Sequence, residues 1–199
     1  MSHKKISIEG NIGCGKTTVC ESVLNNSRLP VFLEPVSDWI PYLDEFYKDP
    51  MKWGFAFNVN VILSYQKWKN NSFTAIYERS PLSCKHVFTN QQIKDGFIHP
   101  LELNIFNKIY DQLAWEPDCI IYIKTDPAKC SERMKSRGRE CENGVSDEYL
   151  YALHEQYQAL CEYIKNERND IKLYIVDGNR DKTEVSKDVN QIISEILKK

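Results

Sequence analysis

Lys5-Ile6-Ser7-Ile8-Glu9 runs without a break into Gly10-Asn11-Ile12-Gly13-Cys14-Gly15-Lys16-Thr17-Thr18, and this stretch decides how the rest of the chain is read. The first five residues are short and apolar enough for a buried strand. The next eight match GxxxxGK[ST] at every fixed position, between a predicted strand and a predicted helix, which is the context that gives the motif meaning. Its glycines let backbone N–H groups curl around phosphate oxygens, and the helix N-terminus adds partial positive charge. Lys16 is expected on the β- and γ-phosphates of a bound ATP, and the Thr17 hydroxyl on Mg²⁺. The loop from Gly10 to Thr18 is therefore read as a nucleotide cradle.

Outward from this loop, short apolar runs alternate with longer helical segments. Val31–Glu34, Phe73–Tyr77, Cys119–Lys124 and Leu173–Val176 join Lys5–Glu9 as strand candidates. Leu101, Ile105, Ile109 and Leu113 recur every four residues, so that segment is a helix whose apolar face could serve either the core or a partner. Val189, Ile192, Ile193, Ile196 and Leu197 repeat the pattern. The alternation predicts an α/β fold: one domain over 1–199 with a five-stranded parallel sheet flanked by helices. Ligands in such sheets bind beyond the carboxyl ends of the strands.

Composition narrows the ligand. With 199 residues and a formal net charge of −2, the chain has no global field to attract a nucleic acid or an anionic membrane. No apolar run approaches a membrane span. The expected ligand is a small anion held by local charges. Met1–Lys5 leads straight into the first strand, so no signal peptide is expected. Seven cysteines without a CxxC pair read as reduced thiols in a cytoplasm.

Two strand ends carry the complementary chemistry. Glu34-Pro35 closes the second predicted strand and Glu78-Arg79-Ser80 the third, so carboxylates and a cation face the phosphate loop. Phosphoryl transfer to a hydroxyl needs a base for its proton and cations for the migrating charge. Arg133 and Arg137 lie four apart on one helix face, Gly138 breaks that helix, and Arg139 follows on a loop near Gly144. This Arg-rich segment, about 133–145, reads as a lid. Asn107-Lys108-Ile109-Tyr110-Asp111 is one residue too long for a guanine-reading NKxD and lies inside the apolar helix, which argues against a GTPase switch.

In this order and spacing, Gly10–Thr18, Glu34-Pro35-Val36 with Trp39, Tyr47-Lys48-Asp49-Pro50 with Trp53 and Phe57, Glu78-Arg79-Ser80, Arg133 with Arg137-Gly138-Arg139, Glu142, Tyr149-Leu150 and Leu153-His154 resemble the deoxynucleoside kinase family. The resemblance covers about residues 4–165. It implies a homodimer that moves the γ-phosphate of ATP to the 5′-hydroxyl of a deoxynucleoside, with Mg²⁺. It implies Glu34 as general base, Arg79 holding the same oxygen, and Glu78 placing Mg²⁺ through water. Lys16 and Arg133 would act on the transferring group, with Arg137 and Arg139 in the lid. Tyr47 and Glu142 would bind the sugar 3′-hydroxyl, and Trp39, Phe57 and Phe88 would wall the base.

The chain departs from the family pattern in the base pocket. Asn58 stands where a glutamine is usual, and Tyr65 and Cys84 stand where some members carry an arginine and an aspartate. With Val61 they form an uncharged wall, which points to a pyrimidine, thymidine or deoxycytidine. Asn58 is expected to offer the base one donor and one acceptor. The competing readings are a thymidylate-kinase-like monophosphate kinase, disfavoured by Glu34 and Trp39, and an ATP-binding switch without an acceptor reaction.

Overall fold

The structure, a computed structural model, describes residues 3–142 and 144–198, without the side chain of Cys141. One parallel sheet runs in the order β2-β3-β1-β4-β5. Its strands are β1 (Lys5–Glu9), β2 (Val31–Phe32), β3 (Ala75–Glu78), β4 (Cys119–Lys124) and β5 (Lys172–Asp177). β1 is central, pairing Ile8 with Glu78 of β3 on one side and with Ile121 of β4 on the other. Helices cover both faces, so the inner strands are apolar runs rather than alternating ones.

β1 and β4 have the expected bounds. β2 is shorter, because it is an edge strand paired only through Val31 and Phe32, and Pro35 beyond it has no N–H to donate. β3 starts at Ala75 rather than Phe73 and reaches Glu78, while β5 gains one residue at each end.

The helices are α1 (Lys16–Asn26), α2 (Val36–Lys48), α3 (Pro50–Gln66), α4 (Pro81–Ser83), α5 (Asn90–Lys94), α6 (Pro100–Leu113), α7 (Pro127–Arg137), α8 (Asp147–Glu167) and α9 (Lys182–Lys198). A π-helical turn, Cys84–Thr89, joins α4 to α5. Local chemistry sets several starts. Asp49 accepts from the Lys52 N–H at 3.2 Å with Pro50 in the first turn of α3. Ser146 caps α8 through Tyr149 N–H at 3.1 Å.

Val19 and Val23 of α1 pack with Val189 and Ile193 of α9 on one side of the sheet. On the other side, Ile62 and Tyr65 of α3 pack with Phe106 of α6 against Ala75 and Tyr77. α8 adds Leu153, Tyr157 and Leu160 against Ile120 and Tyr122. α6 therefore enters the core through Phe106 and Tyr110, whereas Leu101 and Ile105 point outward, 66% and 49% exposed. Asn107–Asp111 lies wholly within α6. Among the described residues, no helix is long and apolar enough to cross a membrane.

Candidate active site

The carboxyl ends of β1, β2 and β3 open on a cavity of about 290 Å³. Its wall contains Ile12, Gly13, Gly15, Lys16, Thr17 and Thr18 of the loop, together with Glu34, Trp39, Tyr47, Phe57, Asn58, Val61, Tyr65, Glu78, Arg79, Cys84, Phe88, Arg137, Arg139 and Glu142. Gly10, Asn11, Cys14 and Arg133 stand behind that wall.

The loop geometry follows from its glycines. Gly13 has φ 76°, and a Cβ there would lie 2.3 Å from the Cys130 carbonyl oxygen of α7. Any side chain would thus be strained and would collide with backbone. Lys16 donates from Nζ to the carbonyls of Gly10 at 3.2 Å and Asn11 at 2.9 Å, which holds its ammonium over the loop. The Asn11 amide donates to the Leu150 carbonyl at 2.8 Å and ties the loop to α8. Cys14 is buried, and its sulfur lies where a Cβ on Gly10 would fall.

Thr17 Oγ1 donates to Glu78 Oε1 at 2.7 Å. A hydroxyl and a carboxylate at the mouth of a phosphate loop are hard oxygen ligands, and they fit Mg²⁺. Among the described residues no three His, Cys, Asp or Glu converge on a cation, so a metal here would be completed by phosphate and water oxygens.

Arg79 continues the sheet by one bond, donating its N–H to the Ile8 carbonyl at 3.0 Å, and then turns into the left-handed region with φ 62°. A non-glycine residue held there costs roughly 1–2 kcal/mol, the kind of strain found at functional sites. The turn sends its guanidinium into the crevice. There Nη1 donates to Glu34 Oε2 at 2.5 Å, Nη2 to the Gly10 carbonyl at 3.1 Å and Nε to the Tyr157 hydroxyl at 3.1 Å. Both partners of the Arg79–Glu34 pair are buried. Glu34 Oε1 also accepts from Tyr65 OH at 3.3 Å. Gly10 O thus joins the two halves of the site, since Lys16 and Arg79 both donate to it.

The part of the wall expected to face a base is aromatic and neutral. Phe57 stacks on Phe46 at 5.5 Å, Trp39 meets Tyr65 edge-on at 6.0 Å, and Phe88 lies under the Arg79 guanidinium at 4.9 Å. Burial pushes the Cys84 thiol up to about 12, so it stays neutral. Asn58 differs from expectation. Its amide nitrogen donates to the Gly54 carbonyl at 2.8 Å and to Gln92 Oε1 at 2.7 Å, and its oxygen accepts from Thr89 Oγ1 at 3.0 Å. Both N–H groups are committed, so the expected donor toward a base is absent and only an acceptor lone pair remains. The cause is the missing methylene, which leaves the amide within reach of its own helix and the π-turn.

The lid is divided. Gly138, φ 64°, ends α7 as expected and releases Arg139 onto a loop. Arg137 bonds Glu142 through both carboxylate oxygens, at 2.5 and 2.7 Å, and Arg139 lies 3.7 Å from the same group. Arg133, expected beside them, instead donates to the carbonyls of Cys14 at 3.2 Å and Arg180 at 3.3 Å, and so braces the loop from outside. Gly144 presses on Tyr47, and a Cβ there would lie 2.9 Å from Tyr47 Cβ and Cγ. Residue 143 of the expected lid lies outside the described residues.

Three contributors were not anticipated as such. Tyr65 was expected only as wall, yet its hydroxyl holds Glu34. Phe46 supports Phe57, and Tyr149 reaches the cavity from α8. Their aromatic side chains look like ordinary core in sequence, and no local signal separates them from it.

The deoxynucleoside kinase family model matches residues 6–199. A deoxyadenosine kinase of Dictyostelium discoideum is 35% identical over 80% of this chain and 69% of its own. A probable deoxycytidine kinase of fowlpox virus is 34% identical over 90% of this chain and 80% of its own. The fold is shared with a solved deoxyadenosine kinase from M. mycoides, which has a TM-score of 0.84 and 24% identity and covers 96% of this chain and 99% of that one. The chain belongs to the deoxynucleoside kinase family of ATP-dependent kinases.

Proposed function

We propose that this chain phosphorylates the 5′-hydroxyl of a pyrimidine deoxynucleoside, with Glu34 as general base. The observation that carries the reading is the buried Glu34–Arg79 pair at 2.5 Å, sharing one cavity with Lys16 and Thr17. Glu34 takes the proton as the 5′-oxygen attacks the γ-phosphorus, the bond to the β–γ bridging oxygen breaks, and ADP leaves. Arg79 holds Glu34 and the attacking oxygen. Lys16 meets the phosphates, and Arg137 and Arg139 close on them. Mg²⁺, held by Thr17 and Glu78, would supply charge neutralisation across the phosphate oxygens.

The pyrimidine preference rests on the neutral wall of Val61, Tyr65 and Cys84. It can face an apolar base edge without leaving a buried charge unpaired. Tyr47 and Glu142 would bind the 3′-oxygen. We further propose a cytoplasmic homodimer formed through the outward stripe of Leu101 and Ile105 on α6, with Met51 and Leu63 of α3, which are 65% and 49% exposed.

ADP release with each of the four natural deoxynucleosides tests the reading, on the parent and on Glu34→Gln. Loss of the base should lower kcat about 10²–10⁴-fold with ATP affinity retained. A Glu34→Gln variant with parental kcat would remove Glu34 from the mechanism. A parent preferring deoxyadenosine or deoxyguanosine tenfold would overturn the base assignment.

A further inference from the structure

Behind Arg79 lies a polar cluster that the reaction as described does not use. Glu9, the last residue of β1, is buried, and its Oε1 accepts from Ser7 Oγ and Ser80 Oγ, both at 2.7 Å. Tyr157 of α8 is equally buried, with its ring stacked on Tyr122 at 5.3 Å and set edge-on to Phe88 at 6.5 Å. Its hydroxyl accepts from Arg79 Nε at 3.1 Å and donates to Glu9 Oε2 at 3.5 Å. The chain of contacts therefore runs Glu9, Tyr157, Arg79, Glu34.

We propose that Tyr157 and Glu9 are positioning residues for Arg79, fixing the guanidinium from the side opposite Glu34. A guanidinium is planar with its donors in a rigid fork, so one bond to a carboxylate leaves it free to swing about that bond. Tethers on Nε, Nη1 and Nη2 remove that freedom. The hydroxyl suits the role because it is both donor and acceptor: it accepts a hydrogen bond from Arg79 and donates one to Glu9. The Glu9 carboxylate also places a second negative group near the buried Arg79, on the side away from the reacting oxygen. Burial raises the Glu9 pKa, while its hydroxyl partners and Arg79 oppose that rise.

This inference rests on the reading of Glu34 and Arg79 above, and Tyr157→Phe tests it separately, because phenylalanine keeps the ring packing and removes only the hydroxyl. Misplacing a reacting group by about 1 Å costs roughly 10²-fold, so kcat should fall between tenfold and a hundredfold while nucleoside KM stays within about threefold. The loss should shrink to less than threefold when Tyr157→Phe is made in an Arg79→Lys background, since the tethered fork is already gone. Glu9→Gln removes the charge but retains a carbonyl acceptor for the hydroxyl, so it should lower kcat by less than Tyr157→Phe does, whereas Glu9→Leu, which removes the acceptor as well, should match Tyr157→Phe. Parental kcat in Tyr157→Phe, a full loss persisting beside Arg79→Lys, or parental kcat in Glu9→Leu would each overturn the proposal. An unimpaired Glu34→Gln would instead remove the underlying reading.

Discussion

Arg79 and Arg137 both face the phosphate cavity, and they are held in opposite ways. Arg79 has a side chain 9% exposed, three separate tethers and a strained backbone, whereas Arg137 is 34% exposed and, among the described residues, tied to Glu142 alone. A buried guanidinium must be fully paired, and once paired it is immobile. An exposed pair is weak and can exchange partners. Under the proposed function, the difference would separate a fixed cation at the acceptor oxygen from exchangeable cations over the phosphates. Arg133 belongs with the fixed class by its two carbonyl contacts, although its sequence position groups it with the lid.

The largest effect is expected at Arg79. Arg79→Ala should lower kcat/KM by about 10³-fold or more, as when a cation is removed from a phosphoryl-transfer transition state. It should also cost stability of about 3–5 kcal/mol by stranding the Glu34 carboxylate, read as an earlier midpoint in urea. A variant as stable as the parent would mean that Glu34 is not dependent on this pair. Next comes Arg133→Ala, for which displacement of the loop carbonyls predicts a kcat about 10²-fold lower. Parental kcat there would leave Arg133 as packing alone.

Smaller effects are expected at the lid. Arg137→Ala should change unfolding free energy by no more than about 1 kcal/mol while lowering kcat, so stability and activity separate where at Arg79 they fall together. Chemical denaturation beside single-turnover kinetics measures both, and a stability loss like that of Arg79→Ala would erase the distinction. The smallest effect is a pH slope from Glu9. Its folded pKa is raised above the ordinary 4.5, chiefly by burial, so the folded state binds the extra proton. Its contribution is therefore present in full below about 4.5 and is lost as pH rises through the folded value. Relative to Glu9→Gln, the parent should lose stability over that rise, and parallel stability–pH curves would contradict the assignment.

Sequence and structure agree best where the chain's own neighbours dictate conformation. The loop from Gly10 to Thr17, the breaks at Pro35 and Gly138, and the bounds of β1 and β4 depend on residues within a few positions. The fate of Asn58 does not, because its amide is captured by Gln92 and Thr89 from another element. Nor does the brace at Arg133, whose partners Cys14 and Arg180 lie far from it in the chain. The stripe on α6 showed its period plainly, yet period alone did not say which side Phe106 and Tyr110 would claim.

By itself the amino-acid sequence determined the α/β layering, the phosphate loop and the pairing of an acid with an acid–base pair at strand ends, because dihedral preference and hydrophobic period are local properties. Only the tertiary structure decided that Arg79 is anchored by Tyr157, 78 residues away, and that Tyr157 in turn reaches Glu9 across 148 residues. A side chain's hydrogen-bond partners are set by which donors and acceptors packing brings within about 3 Å, and chain spacing carries no record of that distance.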